Sequence, residues 1–270
     1  MFKATLRMTA ISALSFLVFS AAPSSALAAK GRDTDNPGAK KAAHGKTVFD
    51  LAHAEIFSPV QTGPLHYSAF YEGFKRAGED VMVSAVNITP ESLEGVKTVV
   101  FAGPSRDVWP SEVDSLVKFV HDGGNLLVLL HISKPVARLT EPFGIIVSNF
   151  VVSEPENNIG GQSQDFYVSK LAPHPVTEGV KKIAVFGTWG LMTENKAQTV
   201  AATSDKAWAD LNRNRVLDKG EPVQSFGIVA VNQFGKGKVV VVTDDAPFAN
   251  KFINEGDNKK FTDNIIRWFK

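Results

Sequence analysis

Residues 210–221 read Asp-Leu-Asn-Arg-Asn-Arg-Val-Leu-Asp-Lys-Gly-Glu. Counted from one to twelve, oxygen-bearing side chains fall at positions 1 (Asp210), 3 (Asn212), 5 (Asn214), 9 (Asp218) and 12 (Glu221). Position 7 is Val216, whose backbone carbonyl would complete the set. This is the spacing of an EF-hand-type calcium loop. Calcium takes about six to eight hard oxygens at about 2.3–2.6 Å, and alternate residues of a tight loop point inward to supply them. Three features work against tight binding. Position 6 is Arg215, where such a loop uses glycine; a left-handed backbone costs other residues roughly 1–2 kcal/mol. Arg213, Arg215 and Lys219 balance Asp210, Asp218 and Glu221, so the loop is formally neutral. Pro222 and a strand-like run at 226–232 follow it, with no exiting helix. The spacing therefore predicts a structural calcium site with a dissociation constant on the order of 10⁻⁴–10⁻³ M. The alternative is an Asx-rich surface turn whose side chains cap their own backbone.

A second group of polar residues sits just past the strongest strand signals. His53 and Glu55 follow the run 47–52, His131 closes the run 125–131, and Asp244 and Asp245 follow the run 238–243. In an open parallel sheet, ligands bind outside the carboxyl ends of the strands. A sheet order that places these strands side by side gathers the five residues on one ligand cleft. His53, His131 and Asp244 could then bind a metal or act as acid and base. The competing reading is that they cap loops and satisfy backbone groups.

Several chemistries are excluded. The chain has no cysteine, so disulfides, thiolate-bound zinc and a thiol nucleophile are all ruled out. Ser133 lacks the G-x-S-x-G setting that strains and exposes a serine nucleophile. The formal net charge is +1 and no basic stripe interleaved with aromatics occurs, which argues against nucleic acid as a partner.

The elements that must position these groups are legible from periodicity. Apolar residues Tyr67, Phe70, Tyr71, Phe74 and Ala77 recur at helical spacing and Gly78 ends the helix. Trp109-Pro110-Ser111-Glu112 opens a second helix with Val113, Leu116, Val117 and Val120 on one face, stopped at Gly123-Gly124. Runs 47–52, 80–86, 97–102, 125–131 and 238–243 read as strands, with further candidates at 144–152, 182–186, 198–202 and 226–232. The polar, Asn/Gly-rich stretch 154–164 reads as a loop. Residues 261–269 form a closing amphipathic helix. Continuous apolar strands alternating with amphipathic helices imply a parallel sheet covered on both faces. Trp109 and Trp208 are expected in the core.

Residues 1–28 have the three parts of a secretory signal peptide. Lys3 and Arg7 precede an apolar run at 11–19, and Ala26-Leu27-Ala28 is a cleavage triplet. The run is too short to span a bilayer of about 30 Å, so no membrane span is expected after cleavage. Residues 29–46 are polar and read as a disordered lead-in to a single domain at 47–270. The mature chain is expected in the periplasm or the medium.

Four stretches, in order, resemble the class I glutamine amidotransferase-like superfamily, in its non-glutaminase, trehalose-utilisation-like and gliding-motility auxiliary-like branches. They are Asp50-Leu51-Ala52-His53-Ala54-Glu55; Val99-Val100-Phe101-Ala102-Gly103-Pro104 with the following helix and strand; His174-Pro175-Val176-Thr177-Glu178-Gly179-Val180; and 234–245 with the final helix. The resemblance implies an α/β three-layer sandwich with a mostly parallel, flavodoxin-like sheet. It departs from the glutaminases at the decisive point, because glutamine hydrolysis needs a cysteine nucleophile. Two functions stay open. One is an exported, non-catalytic binding or scaffold domain for a protein or small-molecule ligand, stabilised by calcium. The other is an exported metal-assisted hydrolase of a carbohydrate-related or small polar substrate, carried by His53, His131 and Asp244.

Overall fold

The computed structural model describes residues 45–132 and 136–270. The expected signal peptide, the lead-in up to residue 44 and Ser133 lie outside the described residues. The chain enters as β1 (Lys46–Asp50), α1 (Ser68–Arg76), β2 (Asp80–Ser84), β3 (Val96–Ala102), α2 (Pro110–Asp122) and β4 (Asn125–Leu129). There follow β5 (Ile145–Ser153), β6 (Asn158–Ile159), β7 (Gln162–Val168), β8 (Lys170–Leu171), β9 (Ile183–Phe186), β10 (Thr188–Thr193) and β11 (Gln198–Ala202). The last elements are β12 (Trp208–Asp210), β13 (Gly227–Phe234), β14 (Gly237–Val242) and α3 (Asn258–Phe269).

Eleven strands form one sheet along the path β12-β5-β10-β13-β14-β4-β3-β1-β2, with β11 and β8 attached beside β13. Strands β6, β7 and β9 form a separate three-stranded sheet. The segment β2-β1-β3-β4-β14 is parallel throughout. All pairings beyond β14 are antiparallel. The large sheet thus has four parallel and six antiparallel pairings, which corrects the expectation of a mostly parallel sheet. The cause is connectivity. Parallel strands need a crossover of a dozen or more residues, usually helical. Among the described residues no α-helix intervenes between β4 and α3, so most later strands return against their neighbours. The β13–β14 turn shows the constraint. Gly235 sits at φ 60°, and a Cβ there would lie 2.5 Å from the His121 carbonyl oxygen. The stretch 154–164 is likewise more than a loop: β6 and the start of β7 lie within it, turning at Gly160-Gly161, both with positive φ.

Side-chain alternation divides the core between the two faces of the sheet. Val100, Ala102, Leu127 and Leu129 pack on one face with Phe70 and Phe74 of α1 and Phe261, Ile265 and Phe269 of α3. Val99, Phe101, Leu126 and Val128 pack on the other with Val113, Leu116 and Val120 of α2. Each of these valine, leucine, isoleucine and phenylalanine side chains, once buried, is worth about 1.5–3 kcal/mol of transfer free energy. This two-sided burial is why the parallel strands read as unbroken apolar runs. Trp208 is buried, but Trp109 is 62% exposed, because it precedes α2 at the outer end of the β3 connection. Among the described residues no helix is long and apolar enough to cross a membrane.

Candidate functional site

In a sheet ordered 2-1-3-4, the chain leaves β1 and β3 in opposite directions, and a crevice opens at their carboxyl ends. The loop after β1 runs through Leu51 and Ala52 to His53, then Ala54 in a left-handed conformation (φ 55°), then Glu55. The His53 carbonyl accepts the Ser105 and Arg106 N–H groups at 3.1 and 2.9 Å, which ties this loop to the one after β3.

Asp50 Oδ2 lies 2.7 Å from His53 Nδ1 and also accepts the His53 backbone N–H at 3.2 Å. Glu55 Oε2 accepts the same N–H at 3.1 Å. The other imidazole nitrogen, His53 Nε2, lies 3.2 Å from Glu112 Oε2. Glu112 sits in the first turn of α2 and accepts the Trp109 and Ile88 N–H groups, both at 2.9 Å. One carboxylate therefore holds together the connections after β1, β2 and β3. His53 and Asp50 are almost completely buried. No N–H or hydroxyl of the described residues reaches two buried oxygens, Asp50 Oδ1 and Glu55 Oε1.

The electrostatics follow from this crowding. Burial works against a charged His53 ring, but Asp50 and Glu112 outweigh it and raise its pKa. Burial, reinforced by neighbouring Asp50, pushes the Glu55 carboxyl up to about 9, so it keeps its proton at neutral pH. Burial also opposes ionisation of Glu112, yet the hydrogen bonds from Trp109, His53 and Ile88 prevail and hold it below its ordinary value.

A second cluster adjoins the first. Tyr67 Oη donates to Asp245 Oδ2 at 2.6 Å, and His131 Nδ1 lies 2.9 and 3.1 Å from the two Asp245 oxygens. Burial depresses the His131 ring's basicity, but Asp245 more than offsets this and raises the pKa. Burial and the Asp245 charge keep the Tyr67 hydroxyl firmly protonated. Gly103 makes room for the cluster. It lies at φ 72°, and a Cβ there would sit 2.5 Å from Asp245 Oδ2 and 3.2 Å from Tyr67 Oη. The Phe57 ring meets both His131 and Tyr67 edge-on. A groove of ≈ 550 Å³ lies at the opposite, amino edge of the sheet, lined by Gly45, Leu93, Val96, Phe119 and Gly124 among others, and contains none of these groups.

The 210–221 loop is closed largely by its own hydrogen bonds. Asp210 accepts the Asn214 and Arg215 N–H groups and Gln164 Nε2, at 3.1, 2.8 and 3.0 Å. Glu221 accepts the Leu211 and Asp218 N–H groups at 2.8 and 3.0 Å. The side-chain amides of Asn212 and Asn214 both donate to Asp218 Oδ2. Arg215, at position 6, takes the left-handed conformation (φ 66°) that the loop type requires there. The loop carries the oxygen-bearing side chains of a calcium-type loop, arranged around their own hydrogen bonds. Carboxylate oxygens that accept N–H bonds keep a second lone pair, and the two asparagines must turn their carbonyl oxygens inward to join them.

The chain matches, over residues 59–266, the family described as a domain of unknown function, DUF4350. It belongs to that family. No curated protein matches it by sequence. Among solved structures it is similar to the mmIFT52 N-terminal domain, with a TM-score of 0.67, 19% identity, and 83% of this chain and 96% of that one covered. A cytoplasmic protein of Salmonella typhimurium LT2 gives 0.54 and 16%, covering 83% of this chain and 99% of that one. A ThuA-like protein of Bacteroides uniformis gives 0.53 and 14%, covering 87% and 95%. At these identities the likeness shows the fold alone, and that fold is compatible with the trehalose-utilisation-like one.

Within this DUF4350 domain the five cleft residues do not act as one set. His53 and Glu55 belong to the first cluster, and His131 and Asp245 to the second. Asp244 turns away: its two oxygens accept the Phe186 and Ala246 N–H groups at 2.6 and 3.0 Å, and burial next to Asp245 raises its pKa well above the ordinary value. His53, His131 and Asp244 therefore do not converge on one point. Sequence reasoning missed Asp50, Tyr67 and Glu112. An Asp-x-x-His directly after a strand, and a glutamate in the first turn of a helix, were signals for two of them. Tyr67 gave none, because it reads as one more apolar position at helical spacing.

Proposed function

We propose that this domain is an exported, non-catalytic binding module of amidotransferase-like fold. It holds a small polar ligand at the carboxyl-edge rim between β1 and β3, and calcium orders its 210–221 loop. The observation that carries the reading is the rim itself, a convergence of carboxyl, imidazole and phenol groups at the switch point with no activated nucleophile among the described residues. The chain has no thiol. Among the described residues, Ser105 of the rim donates its hydroxyl to the Ala54 carbonyl at 2.6 Å instead of to an imidazole. Export rests on the three-part character of residues 1–28.

Calcium is tested by thermal melts of the full chain in EDTA and then in millimolar calcium. A ligand that binds only the native state raises the melting temperature by mass action. The rise is expected in the parent protein and absent in Glu221→Gln; no rise in either removes calcium from the proposal. The binding role is tested with trehalose as probe, following saturation-transfer NMR and product formation together. Saturation transfer without product supports a binding module. Release of glucose restores the hydrolase reading, and neither signal excludes this ligand class.

A further inference from the structure

We propose that Asp50, His53 and Glu55 form a site for one divalent transition-metal ion, of the zinc and cobalt class, at the carboxyl end of β1. The three residues each offer one ligand atom, an imidazole nitrogen and two carboxylate oxygens, and these atoms lie within 4.8 Å of one another. Proximity alone would describe many polar clusters. Two further observations distinguish this one.

The first is the pair of buried carboxyl oxygens. Asp50 is only 2% exposed, and no N–H or hydroxyl of the described residues reaches its buried Oδ1 or the buried Oε1 of Glu55; the two carboxyls have only each other as side-chain hydrogen-bond partners there. Buried acceptors without donors are costly and uncommon in folded proteins. A cation held by the two carboxylates takes the place of the proton they otherwise share.

The second is Glu112. Metal-bound histidines almost always hand their other ring N–H to a carboxylate or carbonyl, which fixes the tautomer and orients the ring. Glu112 Oε2 stands 3.2 Å from His53 Nε2 and is itself held by the Trp109 and Ile88 N–H groups. A proton kept on Nε2 by Glu112 leaves the Nδ1 lone pair facing Asp50. Nδ1 lies 2.7 Å from Asp50 Oδ2. An ion displaces the proton between them, and the two atoms need only part slightly to ligate side by side.

The donor set selects the class of metal. An imidazole nitrogen favours zinc, cobalt, nickel or copper, whereas calcium and magnesium prefer all-oxygen sites. The 210–221 loop is all oxygen, so the two regions are expected to sort different ions. Three protein ligands leave a fourth position for water or for an oxygen of a bound ligand. Glu55 is the least buried of the three. The site stands independently of the binding-module reading, since an ion could equally stabilise an unliganded rim.

The test uses the untagged full chain, stripped with EDTA and titrated with Co²⁺, whose visible absorption reports ligation directly. One equivalent is expected to bind and to be displaced by Zn²⁺. Glu55→Gln keeps the size and hydrogen-bonding capacity of a neutral carboxyl, so it should fold normally by circular dichroism yet bind more than about 100-fold more weakly. Glu112→Gln acts one bond removed and should weaken binding about 10-fold. Glu221→Gln should bind cobalt like the parent. Three results would each overturn the proposal: no cobalt uptake by the parent at micromolar concentration, unchanged uptake by Glu55→Gln, or loss of uptake in Glu221→Gln alone.

Discussion

In the 210–221 loop, both oxygens of Asp210 and both of Glu221 accept hydrogen bonds. At the end of β1, Asp50 Oδ1 and Glu55 Oε1 accept none from outside the pair among the described residues, and the charges there are balanced across elements far apart in the chain. The loop disposes of its carboxylates by folding back on itself. The rim packs carboxyls so closely that one must hold a proton or share a cation. A self-satisfied acidic region is a structural unit that an ion can tighten. One left with buried oxygens paired only with each other has unspent binding capacity, which is why the further site is placed at the rim.

That contrast can be broken by mutation. The largest effect is expected at Asp50. Asp50→Ala strips a buried imidazole of its closest partner, and removing one member of a buried pair costs about 3–5 kcal/mol. Urea unfolding of the metal-free protein measures it; a loss below about 1 kcal/mol would mean the network is not a structural keystone. Asp210→Ala should cost somewhat less, about 1–3 kcal/mol, because losing the buried side chain leaves the Arg215 N–H and the Gln164 amide without their acceptor and the Asn214 N–H with Asn212 Oδ1 alone. Calcium should not restore that loss.

Gly103→Ala sharpens the comparison from the second cluster. Its left-handed backbone and the 2.5 Å approach to Asp245 Oδ2 predict a loss of about 1–3 kcal/mol. Displacing Asp245 also removes the main support for the raised His131 pKa, so the His131 proton resonance should titrate at lower pH than in the parent.

The gentlest probe is pH, in EDTA. The folded-state pKa values of His53, His131 and Glu55 are all raised. A raised group contributes stability that is complete below its unfolded value and is lost as pH climbs through its folded value. For Glu55 that window runs from its ordinary 4.5 to about 9; for the two histidines it begins at 6.5. Glu112, held below its ordinary value, acts in the opposite sense only on the acid side. The urea midpoint should therefore fall as pH rises from mildly acidic to mildly basic. Glu55→Gln should flatten part of that slope, the rest coming from the two histidines and from Asp244, whose pKa is also raised, whereas Glu221→Gln should leave it unchanged. An equal slope in both variants would place the titrating group elsewhere.

The sequence by itself determined the features that depend on near neighbours. Helices α1, α2 and α3 follow from 3.6-residue periodicity and the glycine stops after α1 and α2, because a helix's buried face is written within a few turns. The calcium-type spacing at 210–221 is equally local, and even the strained position, Arg215, was legible as the sixth residue of the loop. Direction of strand pairing was not. An apolar run such as 238–243 reads the same whether its neighbours run parallel or not, and β14 in fact joins β4 in parallel and β13 in antiparallel fashion. The rim belongs wholly to the tertiary structure. His53 meets Glu112 across 59 residues, and Tyr67 meets Asp245 across 178. No local pattern encodes such meetings, because sheet order alone decides which strand ends adjoin. Burial at that crossing then turns ordinary carboxyl and imidazole side chains into groups with altered charge.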